Sequence, residues 1–187
     1  MTTRLILMCA GATPSTRAAR FPDPAEALDE GGRAKVRAMT RTWPMTARSV
    51  VSPAVAAQET ADLLGIGGQV EPALRDMDAG GWAGRGMEEI GEAALAGWLA
   101  APELGAPGGE GLAAVRARVG AWLDALEPGW VVVVTHAAVI RAAVAHALAI
   151  PDAAVFAIDV APLTRVALSR HGRWRLQELG PGASIGG

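Results

Sequence analysis

Trp130-Val131-Val132-Val133-Val134 is a continuous apolar run closed by Thr135-His136, and residues 137–149 after it are apolar nearly all round. An unbroken block of β-branched side chains suits a strand covered on both faces, as the central strands of a parallel sheet are. The following segment then reads as a buried helix ended by Pro151, so strand and helix form one unit. Leu5-Ile6-Leu7-Met8 repeats the pattern and meets a turn at Cys9-Ala10-Gly11. Both runs are expected to be central parallel strands.

Weaker strands are expected at Arg48-Ser49-Val50-Val51, closed by Ser52-Pro53, and at Gly68-Gln69-Val70-Glu71 before Pro72. Helices are expected over residues 29–43, 54–64 with Gly65 as the C-terminal cap, and 111–126. In the last, Leu112, Val115, Val119, Trp122, Leu123 and Leu126 recur at three- and four-residue intervals, which places them on one face, and Pro128-Gly129 stops the helix. Beyond Pro151 come the apolar segment 155–160, a turn at Ala161-Pro162, and a hairpin of 164–169 and 173–179 around His171-Gly172 at the sheet edge. Residues 80–111, rich in Gly, Ala and Pro with a helical piece from Met87 to about Leu99, interrupt the alternation and are read as a lid. Alternating strands and helices predict an α/β fold, a three-layer α/β/α sandwich with a mostly parallel central sheet. One domain is expected over residues 1–179, with a flexible tail at 180–187. Ligands in such folds sit beyond the carboxyl ends of the strands, where residues 9–20 and 135–141 fall.

Composition narrows the partners. The 187 residues carry a net charge of −2 without charge blocks, which leaves no electrostatic footprint for nucleic acid or an anionic membrane. A single cysteine, Cys9, and three scattered histidines exclude a disulfide framework and a Cys-rich metal site, so no metal and no cofactor is expected. The apolar stretch at residues 5–8 is short for a secretory signal, and a cytoplasmic protein is expected. The partner is read as a small-molecule ligand or a protein; the oligomeric state is open, a dimer being one option.

Four segments in order, LILMCAGATPSTRAARF, SVVSPAVAAQETADLLG, PALRDMDAGGWAGRGMEEI and WVVVVTHAAVIRAAVAHAL, resemble the four sequence blocks of the histidine phosphatases, the phosphoglycerate mutase-like superfamily. The ending LTRVALSRHGRWRLQELG is similar to that family's final strands, particularly in its alpha-ribazole phosphatase-like branch. The resemblance implies a phosphoglycerate mutase-like fold and metal-independent phosphoryl chemistry. In that family the first strand ends in Arg-His-Gly-Glu-Thr, whose histidine attacks phosphorus. An arginine in the second block grips the phosphate, an acid in the third protonates the leaving oxygen, and a second histidine in the fourth bonds the phosphoryl group.

The departures fall on those groups. Cys9-Ala10-Gly11-Ala12-Thr13 stands where the family has Arg-His-Gly-Glu-Thr, and Ala56 stands at the arginine of the second block. Gly11, Thr13, Ser52, Pro53, Thr60, Gly80, Trp82 and Gly84 keep the pattern, Asp76 takes the acid position one methylene short of glutamate, and His136 takes that of the second histidine. Phosphoryl transfer is mostly positioning and charge stabilisation by guanidinium groups, and alanine offers no lone pair for a covalent intermediate. Losing a nucleophile commonly costs on the order of a millionfold in turnover. The resemblance therefore implies a pseudophosphatase whose pocket binds a small molecule or a protein partner, with standard phosphatase activity absent.

Two other readings stay open. A rewired enzyme would use Cys9, His136 and Asp76 on a different substrate, not necessarily phosphorylated, with Cys9 as a thiolate paired to histidine rather than a small buried hydrophobe. A residual phosphomonoesterase of the alpha-ribazole phosphatase or phosphoglycerate mutase type is the other. The cysteine-phosphatase spacing fails, because the sixth position after Cys9 is Ser15 and Arg17 comes two residues later. Candidate catalytic residues are thus His136, Asp76 and Cys9; candidate ligand-binding residues are Gly11, Thr13, Arg17, Arg20, Ser52 and His136. Arg17 and Arg20 are expected to reach the pocket mouth, whereas Arg141 is read as a structural anchor at the sheet end. Asp76 is read equally as an acid or as a turn cap.

Overall fold

The two unbroken apolar runs lie side by side in the middle of one sheet. The computed structural model describes residues 1–40, 43–44 and 47–182. β1 (Thr3–Cys9) and β4 (Gly129–Thr135) are parallel, in register from Thr3 opposite Gly129 to Cys9 opposite Thr135. Successive side chains point to opposite faces, and both faces are covered. Leu5, Leu7, Val131 and Val133 enter one core cluster. Ile6, Met8, Val132 and Val134 enter the other. That is why the runs read as continuous rather than alternating.

β2 (Arg48–Val51) joins β4 in parallel, and the short β3 (Gln69–Val70) joins β2 in parallel. On the other side β5 (Thr164–His171) pairs antiparallel with β1, and β6 (Arg173–Pro181) antiparallel with β5, giving the order β3-β2-β4-β1-β5-β6. The sheet is mostly parallel. The helices are α1 (Pro14–Arg17), α2 (Glu30–Arg37), α3 (Val55–Leu63), α4 (Glu92–Ala100), α5 (Leu112–Asp124) and α6 (Ala137–Leu148). Val36 of α2 with Ala57 and Ala61 of α3 covers one face of the sheet; Val115, Val119 and Leu123 of α5 with Val139 and Ile140 of α6 cover the other. The expected α/β/α layering is therefore present, and the periodic face predicted for α5 is the one it buries.

Several boundaries differ from the sequence reading. α2 ends at Arg37 rather than running toward residue 43, because the Met39 N–H closes a tighter turn on the Val36 carbonyl; residues 41 and 42 lie outside the described residues. The apolar segment 155–160 begins inside a 3-10 helix, Asp152–Ala157, in which only Val155 is buried, packed with Leu112 and Ala145. One inward side chain per turn is a helical period, not a strand's. The helical piece expected over 87–99 is two elements, a 3-10 turn at Met87–Glu89 and α4, separated at Ile90-Gly91. β6 extends to Pro181, opposite Thr164, so residues 180 and 181 belong to the sheet and not to a tail; residues 183–187 lie outside the described residues. The short helix α1 was unforeseen, although Thr13-Pro14 carries its signal: Thr13 accepts the Thr16 N–H, and Pro14 occupies the first turn.

Residues 80–111 pack through Trp82, Ile90 and Ala106, joined by Phe21 and Trp98. The Phe21 ring lies 5.0 Å from that of Trp82 and 5.2 Å from that of Trp98. This apolar knot pins the segment to the chain that follows β1. Among the described residues no helix is long and apolar enough to cross a membrane, and no three His, Cys, Asp or Glu side chains are grouped to hold a metal ion.

Gly32 is the contact at which α2 meets the loop after β1. A Cβ there would fall 2.3 Å from the Ala12 carbonyl oxygen, the same oxygen that accepts the Asp29 N–H. Gly32→Ala should therefore push α2 away and destabilise the fold by about 1–3 kcal/mol, as overpacking does. Urea unfolding measures this, and an unchanged midpoint would show that the backbone contact relaxes freely.

Candidate functional site

The carboxyl ends of β1 and β4 open into a cavity of about 650 Å³. Its deepest lining comes from buried Cys9, Ala10 and Ala56, together with Gly11, Asp76 and His136. Local hydrogen bonds set each of these in place. The Ala10 N–H donates to the Thr135 carbonyl at 2.7 Å, continuing the β1–β4 ladder one residue past the strand. The Gly11 N–H donates to Thr60 Oγ1 at 3.0 Å, and that hydroxyl donates to the Ala56 carbonyl at 2.7 Å. The fully buried Thr60 thus ties the turn after β1 to α3.

His136 caps the start of α6 with extended backbone, which turns its imidazole toward the cavity. Nε2 lies 2.8 Å from Ser52 Oγ and Nδ1 lies 3.5 Å from Asp76 Oδ2. A carboxylate only accepts, so a neutral imidazole with its proton on Nδ1 accepts a hydrogen bond from the Ser52 hydroxyl at Nε2. The Ser52 oxygen also accepts the Ala54 N–H at 3.3 Å. Ser52 is completely buried behind His136 and does not line the cavity.

Asp76 sits on a loop held from two sides. Thr135 Oγ1 donates to the Leu74 carbonyl at 2.8 Å. Arg118 of α5 donates to the Ala73 carbonyl at 2.7 Å and to the Asp76 carbonyl at 3.1 Å. The same guanidinium makes a two-pronged pair with Glu110, at 2.8 Å on each prong, and Arg75 adds a bond to Glu110 at 3.0 Å. Burial pushes the Glu110 carboxyl up, but Arg118 and Arg75 outweigh it and hold the group below the usual carboxylate range. Neither Glu110 nor Arg118 was singled out from sequence. They lie eight residues apart around a helix start, and nothing in that spacing reports the loop they clamp.

The other predicted residues divide. Thr13 and Arg20 line the cavity, but Arg20 also donates to the carboxylates of Glu89 at 2.7 Å and Glu88 at 3.4 Å and to the Gly84 carbonyl at 3.1 Å. Arg17 does not reach the cavity: its guanidinium pairs with Asp29, the N-cap of α2. The reason is local. Arg17 ends α1, and Ala19, at φ +50°, reverses the chain before Arg20. Arg141 anchors the sheet end, donating from Nε to the Ile158 carbonyl at 2.8 Å, and also lines the cavity. His146 pairs with Asp124 at 3.1 Å in the open groove between α5 and α6, and His171 closes the β5–β6 turn.

Cys9 lines the cavity too, 6% exposed. Burial pushes its thiol up to about 12; Asp76 pushes the same way and Arg141 opposes them. This is the environment of an inert thiol rather than a thiolate.

A pocket at the strand ends, lined by one histidine and three carboxylates, can be set against known proteins. The family model of the histidine phosphatase superfamily, branch 1, matches residues 5–180. The chain belongs to the histidine phosphatase superfamily. Among solved relatives it is similar to a mycobacterial glucosyl-3-phosphoglycerate phosphatase in complex with VO3, with 30% identity over 97% of this chain and 99% of that one and a TM-score of 0.80. It is similar also to a phosphoglycerate mutase from Thermus thermophilus, with 28% identity over 95% and 98% of the two chains and a TM-score of 0.76. A provisionally assigned alpha-ribazole-5'-P phosphatase from Escherichia coli shares the fold, at 20% identity over 99% of each chain and a TM-score of 0.85. No curated protein sequence matches the chain.

Proposed function

We propose that this member of the superfamily is a catalytically inactive pseudophosphatase that binds a small molecule in the cavity beyond β1 and β4. The observation that carries the reading is the pair of methyl groups in the deepest lining, Ala10 and Ala56, each 5% exposed. The family's sequence blocks put the nucleophilic histidine and a phosphate-gripping arginine at these two positions. Without them the cavity lacks the family's nucleophile at the end of β1 and the arginine that grips the phosphate, and of the two guanidiniums that do line it, Arg141 is tied to the Ile158 carbonyl. Arg20 does not compensate, because Glu88 and Glu89 already share its charge. The segment 80–111 acts as the cover of the bound molecule, with Met87 and Trp98 on its inner side.

One observation favours a rewired enzyme, the line of Asp76, His136 and Ser52, which resembles an acid–base relay. Its serine is sealed from the cavity and the neighbouring thiol is held protonated, so the relay lacks a nucleophile at its end. Purified protein mixed with naphthyl phosphate should release naphthol no faster than buffer does. Hydrolysis above that background, abolished by His136→Ala, would sink the pseudophosphatase reading.

A further inference from the structure

Beyond lacking a phosphate clamp, the cavity has a charge balance that selects a ligand class. Three carboxylates, Asp23, Asp76 and Asp78, face two guanidiniums, Arg20 and Arg141. Arg20 is already neutralised by Glu88 and Glu89 outside the lining, which leaves Arg141 alone against three acids. Each acid spends one oxygen on a backbone N–H, Asp23 on Ala25, Asp76 on Met77 and Asp78 on Gly80, and the second oxygen of Asp76 also faces His136 Nδ1 at 3.5 Å. A carboxylate has about four acceptor sites, so all three keep capacity for a further donor. The buried thiol at the bottom of the cavity feels the same imbalance, since Asp76 acts on it more strongly than Arg141 does. Beside Thr13, Ser15, Thr16 and His136, much of the remaining lining is apolar, with Phe21, Met87, Trp98, Phe156, Val160 and Pro162 among it. Met87 and Phe156 stay 41% and 43% exposed, so the apolar surface runs out to the rim.

We propose that the cavity binds an apolar small molecule bearing one protonated amine, its ammonium on the Asp76 carboxylate and its body against Phe21, Trp98 and Phe156. A dianionic phosphomonoester enters this lining against its charge, whereas an ammonium is drawn in and gains a charge-assisted hydrogen bond. The proposal rests on the reading of the cavity as a binding site released from phosphate chemistry.

Calorimetric titration of the intact protein near neutral pH tests it with four probes that share one ring system: naphthylmethylamine, naphthylmethanol, naphthoate and naphthyl phosphate. The amine should bind about tenfold or more tightly than the alcohol, as a hydrogen bond to a charged partner allows. The alcohol should bind more tightly than the two anions. Asp76→Asn should erase the amine's advantage over the alcohol. In the unaltered protein, raising salt from about 0.05 to about 0.5 M should shrink the amine's advantage and leave the alcohol's affinity unchanged, a readout that survives should the variant fail to fold. An amine no tighter than the alcohol, a preference for either anion, or no binding by any probe overturns the proposal. Turnover of naphthyl phosphate would instead sink the pseudophosphatase reading. Equal binding of amine and alcohol without turnover removes this inference alone.

Discussion

Iodoacetamide should alkylate Cys9 in the folded protein about a thousandfold more slowly than it alkylates an exposed cysteine. The attacking species is the thiolate, and the thiol is raised from the ordinary 9.0 to about 12. Below both values that difference lowers the thiolate fraction about a thousandfold. Burial is the main cause, with Asp76 second. Mass spectrometry over time, with a urea-unfolded control that reacts at the usual rate, measures the ratio. Labelling of the folded protein as fast as the control would restore the thiolate nucleophile and with it the rewired enzyme. The same shift predicts alkaline instability. A thiol raised in the folded state stabilises it fully below its unfolded value, and that stability is lost as pH rises from about 9 toward about 12, by up to about 4 kcal/mol. Lys35 is the single lysine and there is no tyrosine, so few other groups titrate in that window. Cys9→Ala should flatten the loss.

Replacing Glu110 by Gln should destabilise the protein by about 3–5 kcal/mol at neutral pH, the usual result of leaving one member of a buried ion pair unpaired. The Glu110 and Arg118 side chains are only 9% and 13% exposed, and among the described residues Arg118 pairs with no other carboxylate. Arg75 is nearly half exposed, and its share is small by comparison. The pH dependence has a definite sign. A carboxyl held below its ordinary value stabilises the fold above the unfolded value of about 4.3 and loses that contribution as pH falls through the folded value. The unaltered protein should therefore approach the Glu110→Gln variant in stability as the solution is acidified below about pH 4. Urea unfolding at neutral and acid pH, with the Glu110→Gln, Arg118→Met double variant as the cycle partner, gives the coupling. A neutral-pH loss below about 1 kcal/mol would show that solvent screens the pair. Loosening this clamp should also free the loop that carries Asp76, because Arg118 holds both the Ala73 and the Asp76 carbonyls.

The central sheet was legible because hydrophobic burial writes itself into local pattern. Residues 5–8 and 131–134 are apolar on consecutive positions, as a short strand covered on two faces requires, and the turn signals that close each run set them apart from the longer apolar helix α6. The α5 face was legible for the same reason at a different period. Where the apolar signal is thin, the reading slipped. Residues 152–157 bury Val155 alone, and α2 buries only Gly32 and Val36, so neither boundary was set by pattern.

The site divides along the same line. Cys9, Asp76 and His136 were found because they fall on sequence blocks, and Ala10 and Ala56 stood out because the family's chemistry leaves no use for a methyl group there. Their mutual geometry was not readable. Whether Arg17 or Arg20 reaches the cavity turns on the reversal at Ala19, and whether Cys9 is reactive turns on its burial beneath the cavity. Sequence alone determined the layered α/β architecture and the family, since periodicity and residue identity are local properties. Only the tertiary structure decided the protonation of Cys9, the two partners of His136, the Glu110–Arg118 clamp and the acidic balance of the cavity. Those depend on distances and desolvation among residues far apart in the chain, and Coulomb energy and hydrogen bonding respond to separation in space.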